Sequence, residues 1–202
     1  EVRGFDIVSP CPKDIKAAKS AVELSTLSDV VIMMLPSGSI VKEVADEILP
    51  NMAKGSILLD CSTIDVESTR LVAETATNYG VLMADAPVSG GVSGAVAGTL
   101  TFMVGGSAEA FSTLKPLFDI MGQKAVHCGD SGNGQAAKIC NNMILGATMI
   151  VTCEAFALAD KLGLDREKMY DVVSTSSGYS WSMNAYCPAP DIGPISPADN
   201  DY

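Results

Sequence analysis

Asp29-Val30-Val31-Ile32-Met33-Met34-Leu35-Pro36 sets an uninterrupted apolar run between an acid and a proline. Such a run is the mark of a strand buried on both faces of a parallel sheet. The neighbouring sequence repeats the theme. Ser39 to Leu49 reads as an amphipathic helix with Val41, Val44, Ala45 and Ile48 inward. Ser56 to Asp60 is a second buried strand, Asp65 to Tyr79 a second helix, and Val81 to Ala84 a further strand. Strands alternating with helices of this length imply βαβ units and a parallel sheet. Upstream, a short strand leads to Asp6, and Lys13 to about Ser28 reads as helix, broken near Ser20. Downstream come a strand over Thr99 to Val104, a helix over Ala108 to Met121 and a last strand over Ala125 to Cys128. Past Gly129 everything reads as helical, ending in an irregular tail rich in proline and polar residues.

Composition excludes several classes of function. The 202 residues are 48% hydrophobic and 18% charged, which is a globular balance. A net charge of -11 argues against nucleic acid and anionic membranes as partners, because both need clustered lysine and arginine. No stretch reaches 18 consecutive apolar residues, and residues 1–10 lack the cationic start of a signal peptide, so a soluble protein is expected. The six cysteines, Cys11, Cys61, Cys128, Cys140, Cys153 and Cys187, show no C-x-x-C pairing and read as reduced thiols of an intracellular protein. No metal is expected, since the single histidine, His127, makes no cage beside Cys128.

A parallel sheet binds ligands at the carboxyl ends of its strands. Asp6, Leu35-Pro36, Cys61-Ser62-Thr63 and Asp85-Ala86-Pro87 all fall at that end in this reading. The long helix from Gly132 to about Leu162 carries no charge between Met143 and Cys153, so its middle should be buried nearly all round, against a sheet domain on one side and other helices or a partner subunit on the other, as a spine between two domains. Lys138 and Asn142, four residues apart, share one face of it. A lysine there is ordinarily a solvated one, yet a cation near a helix start costs about 0.3 to 1 kcal/mol against the dipole. That position therefore asks for a reason.

A dinucleotide fold normally opens strand, G-x-G-x-x-G, helix, with an acid for the ribose about 20 residues on. If Asp6 is that acid, the loop belongs upstream of Glu1. Gly132-Asn133-Gly134-Gln135-Ala136-Ala137 matches the fingerprint by spacing, but Leu164 leads straight into Asp165-Arg166-Glu167, another helix start, so no βαβ unit closes behind it. It reads as a decoy. The other glycine-rich stretch, Ser89-Gly90-Gly91, offers a hydroxyl and two unobstructed amides that could hold a small carboxylate, or else a close-packed turn.

Three motifs in order, Asp85-Ala86-Pro87-Val88-Ser89-Gly90-Gly91, then Gly98-Thr99-Leu100-Thr101, then Gly132 to Asn142, resemble the β-hydroxyacid dehydrogenases. Within that family the run Gly134 to Met143 is most similar to 3-hydroxyisobutyrate dehydrogenase. The resemblance covers the chain from about Asp29 onward. It implies an α/β fold: a Rossmann-like, mostly parallel sheet domain over residues 1–130, its first strand and phosphate loop missing, followed by the start of an all-helical domain over residues 131–202. It implies Lys138 as catalytic acid/base, with Asn142, Ser89, Gly90 and Gly91 on the substrate. NAD is the implied cofactor, contacted by Leu35, Pro36 and Thr63, with Asp6 on the ribose hydroxyls. Trp181 and the loop Tyr186-Cys187-Pro188 would close over the substrate.

The implied reaction is oxidation of 3-hydroxyisobutyrate to methylmalonate semialdehyde in valine catabolism, with tartronate or succinate semialdehyde reduction as rivals within the family. A different class of reading is a non-catalytic fragment that acts only through assembly. A homo-oligomer is expected, located in the mitochondrial matrix of a eukaryote or the cytoplasm of a bacterium.

Overall fold

The computed structural model describes residues 1–194. The end of the expected irregular tail, residues 195–202, lies outside the described residues. The order of elements begins with β1 (Arg3–Gly4), β2 (Lys16–Ala17) and α1 (Ala21–Thr26). There follow β3 (Val30–Met33), α2 (Gly38–Ile48), β4 (Ile57–Asp60), α3 (Val66–Tyr79), β5 (Leu82–Asp85), β6 (Val88–Ser89) and α4 (Gly91–Ala97). Then come β7 (Leu100–Gly106), α5 (Ala108–Met121), β8 (Gly122–Gly129), α6 (Asn133–Leu162), α7 (Arg166–Val173) and α8 (Trp181–Asn184). The residues separate into two compact units, 1–138 and 139–202, so α6 begins in the first and continues into the second.

The α/β sheet domain is as the alternating pattern implies. β3, β4 and β5 are parallel neighbours with Met33, Asp60 and Asp85 aligned at their carboxyl ends. Polar side chains start the connecting helices: the Ile40 amide donates to Ser37 Oγ at 3.4 Å and the Ser68 amide to Asp65 Oδ1 at 2.7 Å. Each satisfies an amide that the first helical turn leaves open. Val41, Ala45 and Ile48 of α2 are buried, and Val44 packs against the same core, as the 3.6-residue spacing requires. A second core forms where α5 lays Ala110, Leu114 and Phe118 on Phe102 and Val104 of β7. β7 runs antiparallel to β5 and β6 and parallel to β8, completing six strands.

Four expectations need correction. The helix expected over Lys13 to Ser28 is only α1, because β2 takes Lys16 and Ala17 and Ser20 caps the helix at Ala21. β1 pairs with β2 in a two-stranded sheet of its own, so Asp6 does not stand at the carboxyl end of the main sheet. β3 is an edge strand buried on one face only: Val31 and Met33 point into the core, whereas Ile32 and Met34 are 45% and 62% exposed. The alternation follows from a pleated strand that has a helical layer on one side.

The fourth concerns α6, whose uncharged middle the described residues of this chain do not bury all round. Met143, Ile144, Ile150 and Val151 are exposed, Met143 at 70%. By length and composition α6 could cross a membrane. It is instead built into protein at both ends. Its later residues Phe156 and Ala159 join Met169, Met183 and Cys187 in a small core of the second unit. Its start lies so close to the sheet that a Cβ on Gly134 would overlap the Met103 carbonyl oxygen and come within 2.7 Å of Asp85 Oδ2. Gly134→Ala is accordingly expected to destabilise the first unit by about 1 to 3 kcal/mol, the usual range for overpacking, read as a lower urea midpoint.

Candidate active site

The three parallel strands deliver their last residues to one edge, and two of these are acids. Asp60 and Asp85 are register partners on adjacent strands, and both are fully buried. Asp85 is the better supported. Its Oδ1 accepts the Gly132 amide at 2.7 Å and its Oδ2 the Gln135 amide at 3.0 Å. The open amides and dipole of a helix start favour an anion, and here the chain supplies its own. The Gly132-x-Gly134 spacing therefore grips an internal carboxylate, which leaves it no room for a pyrophosphate. Burial still raises the Asp85 carboxyl above the ordinary range, with the amides of Gly132 and Gln135 pulling the other way.

Asp60 has less help. The Ser62 amide donates to its Oδ1 at 3.0 Å, while Oδ2 has no hydrogen-bond partner among the described residues. Burial pushes its carboxyl up to about 6, and the neighbouring Asp85 charge adds to the shift.

Gln135 is also fully buried and joins this edge together. Its Nε2 donates to the Ser62 carbonyl at 2.8 Å and its Oε1 accepts the Ile64 amide at 3.1 Å. Ser62 Oγ in turn accepts the Leu35 amide at 2.8 Å. The loops after β3 and β4 are thus tied to each other and to the start of α6.

Three residues past Gln135, Lys138 extends its Nζ to the Val88 carbonyl at 2.6 Å. It is half-buried, and desolvation lowers its pKa from the ordinary lysine value. Val88 and Ser89 are held by antiparallel pairing to Phe102 and Thr101. Beyond them Gly90 and Gly91 take φ of 135° and 61°, the left-handed region that favours glycine, and both are exposed. Lys138 is thereby brought against the backbone that leads into Ser89, Gly90 and Gly91.

The other expected site residues are distributed as follows. Leu35 and Pro36 follow β3, and Thr63 follows β4; Pro36 and Thr63 are exposed and Leu35 half-buried. Asn142 lies one helical turn beyond Lys138, in the second unit, and accepts from Asn141 Nδ2 at 3.2 Å. Asp6 sits in an exposed turn where its Oδ1 accepts the Val8 and Ser9 amides at 2.7 Å each, which holds its pKa below the usual value. Trp181 stacks on Tyr186 within the second unit, the ring centroids 4.8 Å apart. His127 Nε2 lies 2.8 Å from the Gly106 carbonyl, and its ring stacks on Phe111.

Two residues of this edge, Asp85 and Gln135, have no functional role assigned to them by the sequence. Asp85 carried a signal, an acid at the end of an otherwise apolar strand. Gln135 carried only its place inside the glycine spacing.

Residues 7–129 match the family described as the NAD binding domain of 6-phosphogluconate dehydrogenase. Residues 132–192 match the NAD-binding family of NADP-dependent 3-hydroxyisobutyrate dehydrogenase. A probable 3-hydroxyisobutyrate dehydrogenase of Mycobacterium tuberculosis is 43% identical over the whole of this chain and 70% of its own length. This chain belongs to the 3-hydroxyisobutyrate dehydrogenase family. An NAD-dependent L-serine dehydrogenase of Pseudomonas aeruginosa is 44% identical over 92% of this chain and 63% of its own. The solved structure of Mycobacterium tuberculosis 3-hydroxyisobutyrate dehydrogenase with L-serine aligns at a TM-score of 0.87 and 43% identity, covering 91% of this chain and 63% of that one. The chain thus spans between three fifths and three quarters of the length of these family members. It is homologous to NAD-dependent 3-hydroxyacid dehydrogenases and carries the family's α/β nucleotide-binding domain followed by the beginning of its helical domain.

The buried acid pair gives this family member a measurable pH signature. Because the folded-state carboxyl of Asp60 titrates near 6 rather than 3.8, the native state binds more protons than the unfolded chain between those values. Stability should therefore fall as pH rises from about 4 to 6, by about 3 kcal/mol from Asp60 alone, with Asp85 acting in the same direction. In Asp60→Asn this fall should shrink by about 1 to 3 kcal/mol, as read from urea midpoints at pH 4.5 and 7.5.

Proposed function

We propose that the chain serves the NAD-dependent oxidation of a small 3-hydroxy acid, with 3-hydroxyisobutyrate as substrate and methylmalonate semialdehyde as product. The observation that carries this reading is Lys138 Nζ at 2.6 Å from the Val88 carbonyl, immediately before Ser89-Gly90-Gly91. In this reading Lys138 accepts the substrate hydroxyl proton. A lysine partly withdrawn from water gives up its own proton more readily, which moves it towards the range where it can act as a base. Ser89 Oγ and the amides of Gly90 and Gly91 hold the substrate carboxylate, and Asn142 binds near the hydroxyl.

When bound, NAD would supply the acceptor for the hydride that leaves the hydroxyl-bearing carbon. The residues that would hold it fit in part. Leu35, Pro36 and Thr63 stand at the carboxyl ends of adjacent parallel strands, the edge where such sheets take nucleotides. Asp6, an ionised acid in an exposed turn, is assigned to the ribose hydroxyls, and that assignment favours NAD over NADP. The Gly132-x-Gly134 turn takes no part, being occupied by Asp85.

L-serine is a second substrate reading. It shares the carboxylate and the hydroxymethylene carbon with 3-hydroxyisobutyrate, and it is favoured by the L-serine dehydrogenase relative and by the relative's structure with L-serine. The family's semialdehyde reductions would use the same lysine in reverse, as the proton donor.

The exposed apolar residues of α6, Met143, Ile144, Ile150 and Val151, support a homo-oligomer in which a second copy covers them. We assign residues 1–130 to the nucleotide-binding domain and residues 131–202 to the helical one, with α6 rooted in the former.

NADH formation tests the assignment. Turnover of 3-hydroxyisobutyrate or L-serine should fall about 100- to 10,000-fold in Lys138→Ala, the usual contribution of general acid/base catalysis. A variant with undiminished turnover overturns the role of Lys138. A folded chain that binds no NAD supports the assembly-only reading instead. Sedimentation velocity should show a dimer or larger species, and a monomer at all concentrations would remove the second copy from the proposal.

A further inference from the structure

We infer that Gln135 is a positioning residue for hydride transfer: its side-chain amide holds the loop around Thr63 at a set distance from Lys138. The inference rests on the assignment of Thr63 to the cofactor and Lys138 to the substrate. It goes beyond that assignment by naming what keeps the two in register.

The two hydrogen bonds of Gln135 fall on either side of Thr63. Nε2 donates to the carbonyl of Ser62 and Oε1 accepts from the amide of Ile64, so Thr63 is bracketed through its neighbours' backbone while it remains exposed. The task needs one donor and one acceptor side by side on a single planar group with no charge, and the carboxamide of glutamine supplies both from one terminal carbon. A carboxylate would face the Ser62 carbonyl with a lone pair. A shorter asparagine, one methylene nearer the helix, would retract from both partners.

The other end of the side chain is equally determined. The Gln135 backbone amide donates to Asp85 Oδ2, which fixes the first turn of α6 to the end of β5. Lys138 lies three residues further, about 4.5 Å along the same rigid helix. The loop bearing Thr63 and the Lys138 ammonium are therefore mounted on one rod. Such preorganisation contributes to rate because reacting atoms must approach closely and in line, and a displacement of about 1 Å can cost on the order of 100-fold.

Loss of the bracket should thus slow the hydride step without removing a group that touches the substrate. In Gln135→Met, which keeps the volume, and in Gln135→Ala, kcat for 3-hydroxyisobutyrate should fall about 10- to 100-fold while the KM for the hydroxy acid stays within about threefold. The primary deuterium isotope effect, measured with substrate deuterated at the hydroxymethylene carbon, should rise in both as hydride transfer becomes more rate-limiting.

Val72→Ala, a cavity in the core formed with α2, is the control for simple destabilisation: it should lower the melting temperature and leave the isotope effect as it was. If Gln135→Ala fails to fold, the Met variant carries the test. A folded Gln135→Met with parental kcat and isotope effect overturns the inference, as does a Val72→Ala variant with the same kinetic change. Lys138→Ala in parallel separates the two levels: loss of turnover there with none in Gln135→Met sinks the positioning role alone, and an unmodified chain with no turnover sinks both.

Discussion

The carboxylate of Asp85, closed inside the first turn of α6, is the interaction on which the rest depends. Burying an acid without water costs several kcal/mol unless donors replace the solvent. Here the replacement is the Gly132 and Gln135 amides at 2.7 and 3.0 Å together with the positive end of a 30-residue helix. The arrangement works only because α6 can come close to the sheet, and that closeness is why Gly134 carries no side chain. A glycine spacing that elsewhere cradles phosphate has become an intramolecular joint.

The position of the joint matters to the candidate site. The end of β5 is next to the end of β4 in register, so whatever fixes α6 to Asp85 also fixes it beside the loop of Ser62, Thr63 and Ile64. Lys138 then reaches the Val88 carbonyl while Gln135 holds that loop. The elements proposed for proton transfer and for the cofactor come from distant parts of the sequence, and Gln135 and Asp85 tie the start of α6 to both neighbouring strand ends. Such networks are favourable when every member is satisfied. The exception in this network is Oδ2 of Asp60, which has no partner among the described residues, and burial raises the pKa of that carboxyl.

α6 also shows how composition can mislead about environment. Its uncharged middle has the hydropathy of a buried or membrane helix, yet Met143, Ile144 and Val151 face outward in the isolated chain. Among the described residues its start finds partners at Asp85 and its later half in the core around Phe156. Burial is a property of what lies opposite a residue, and one chain's pattern does not say whether that is another helix of the same molecule or a second molecule.

Much of the fold was legible before any coordinates, because hydrophobic periodicity is local: the period-3.6 face of α2 and the apolar runs of β3, β4 and β5 state their own structure. The ordered motifs also sufficed to place the chain in its family. What the sequence could not determine depends on pairs distant along the chain. The separation of β1 and β2 from the main sheet, the single buried face of β3 and the outward face of α6 each turn on which surface lies alongside. Asp85 and Gln135 were invisible as a clamp for the same reason, since their partners lie 47 to 73 residues away and hydrogen-bond geometry exists only once those segments meet.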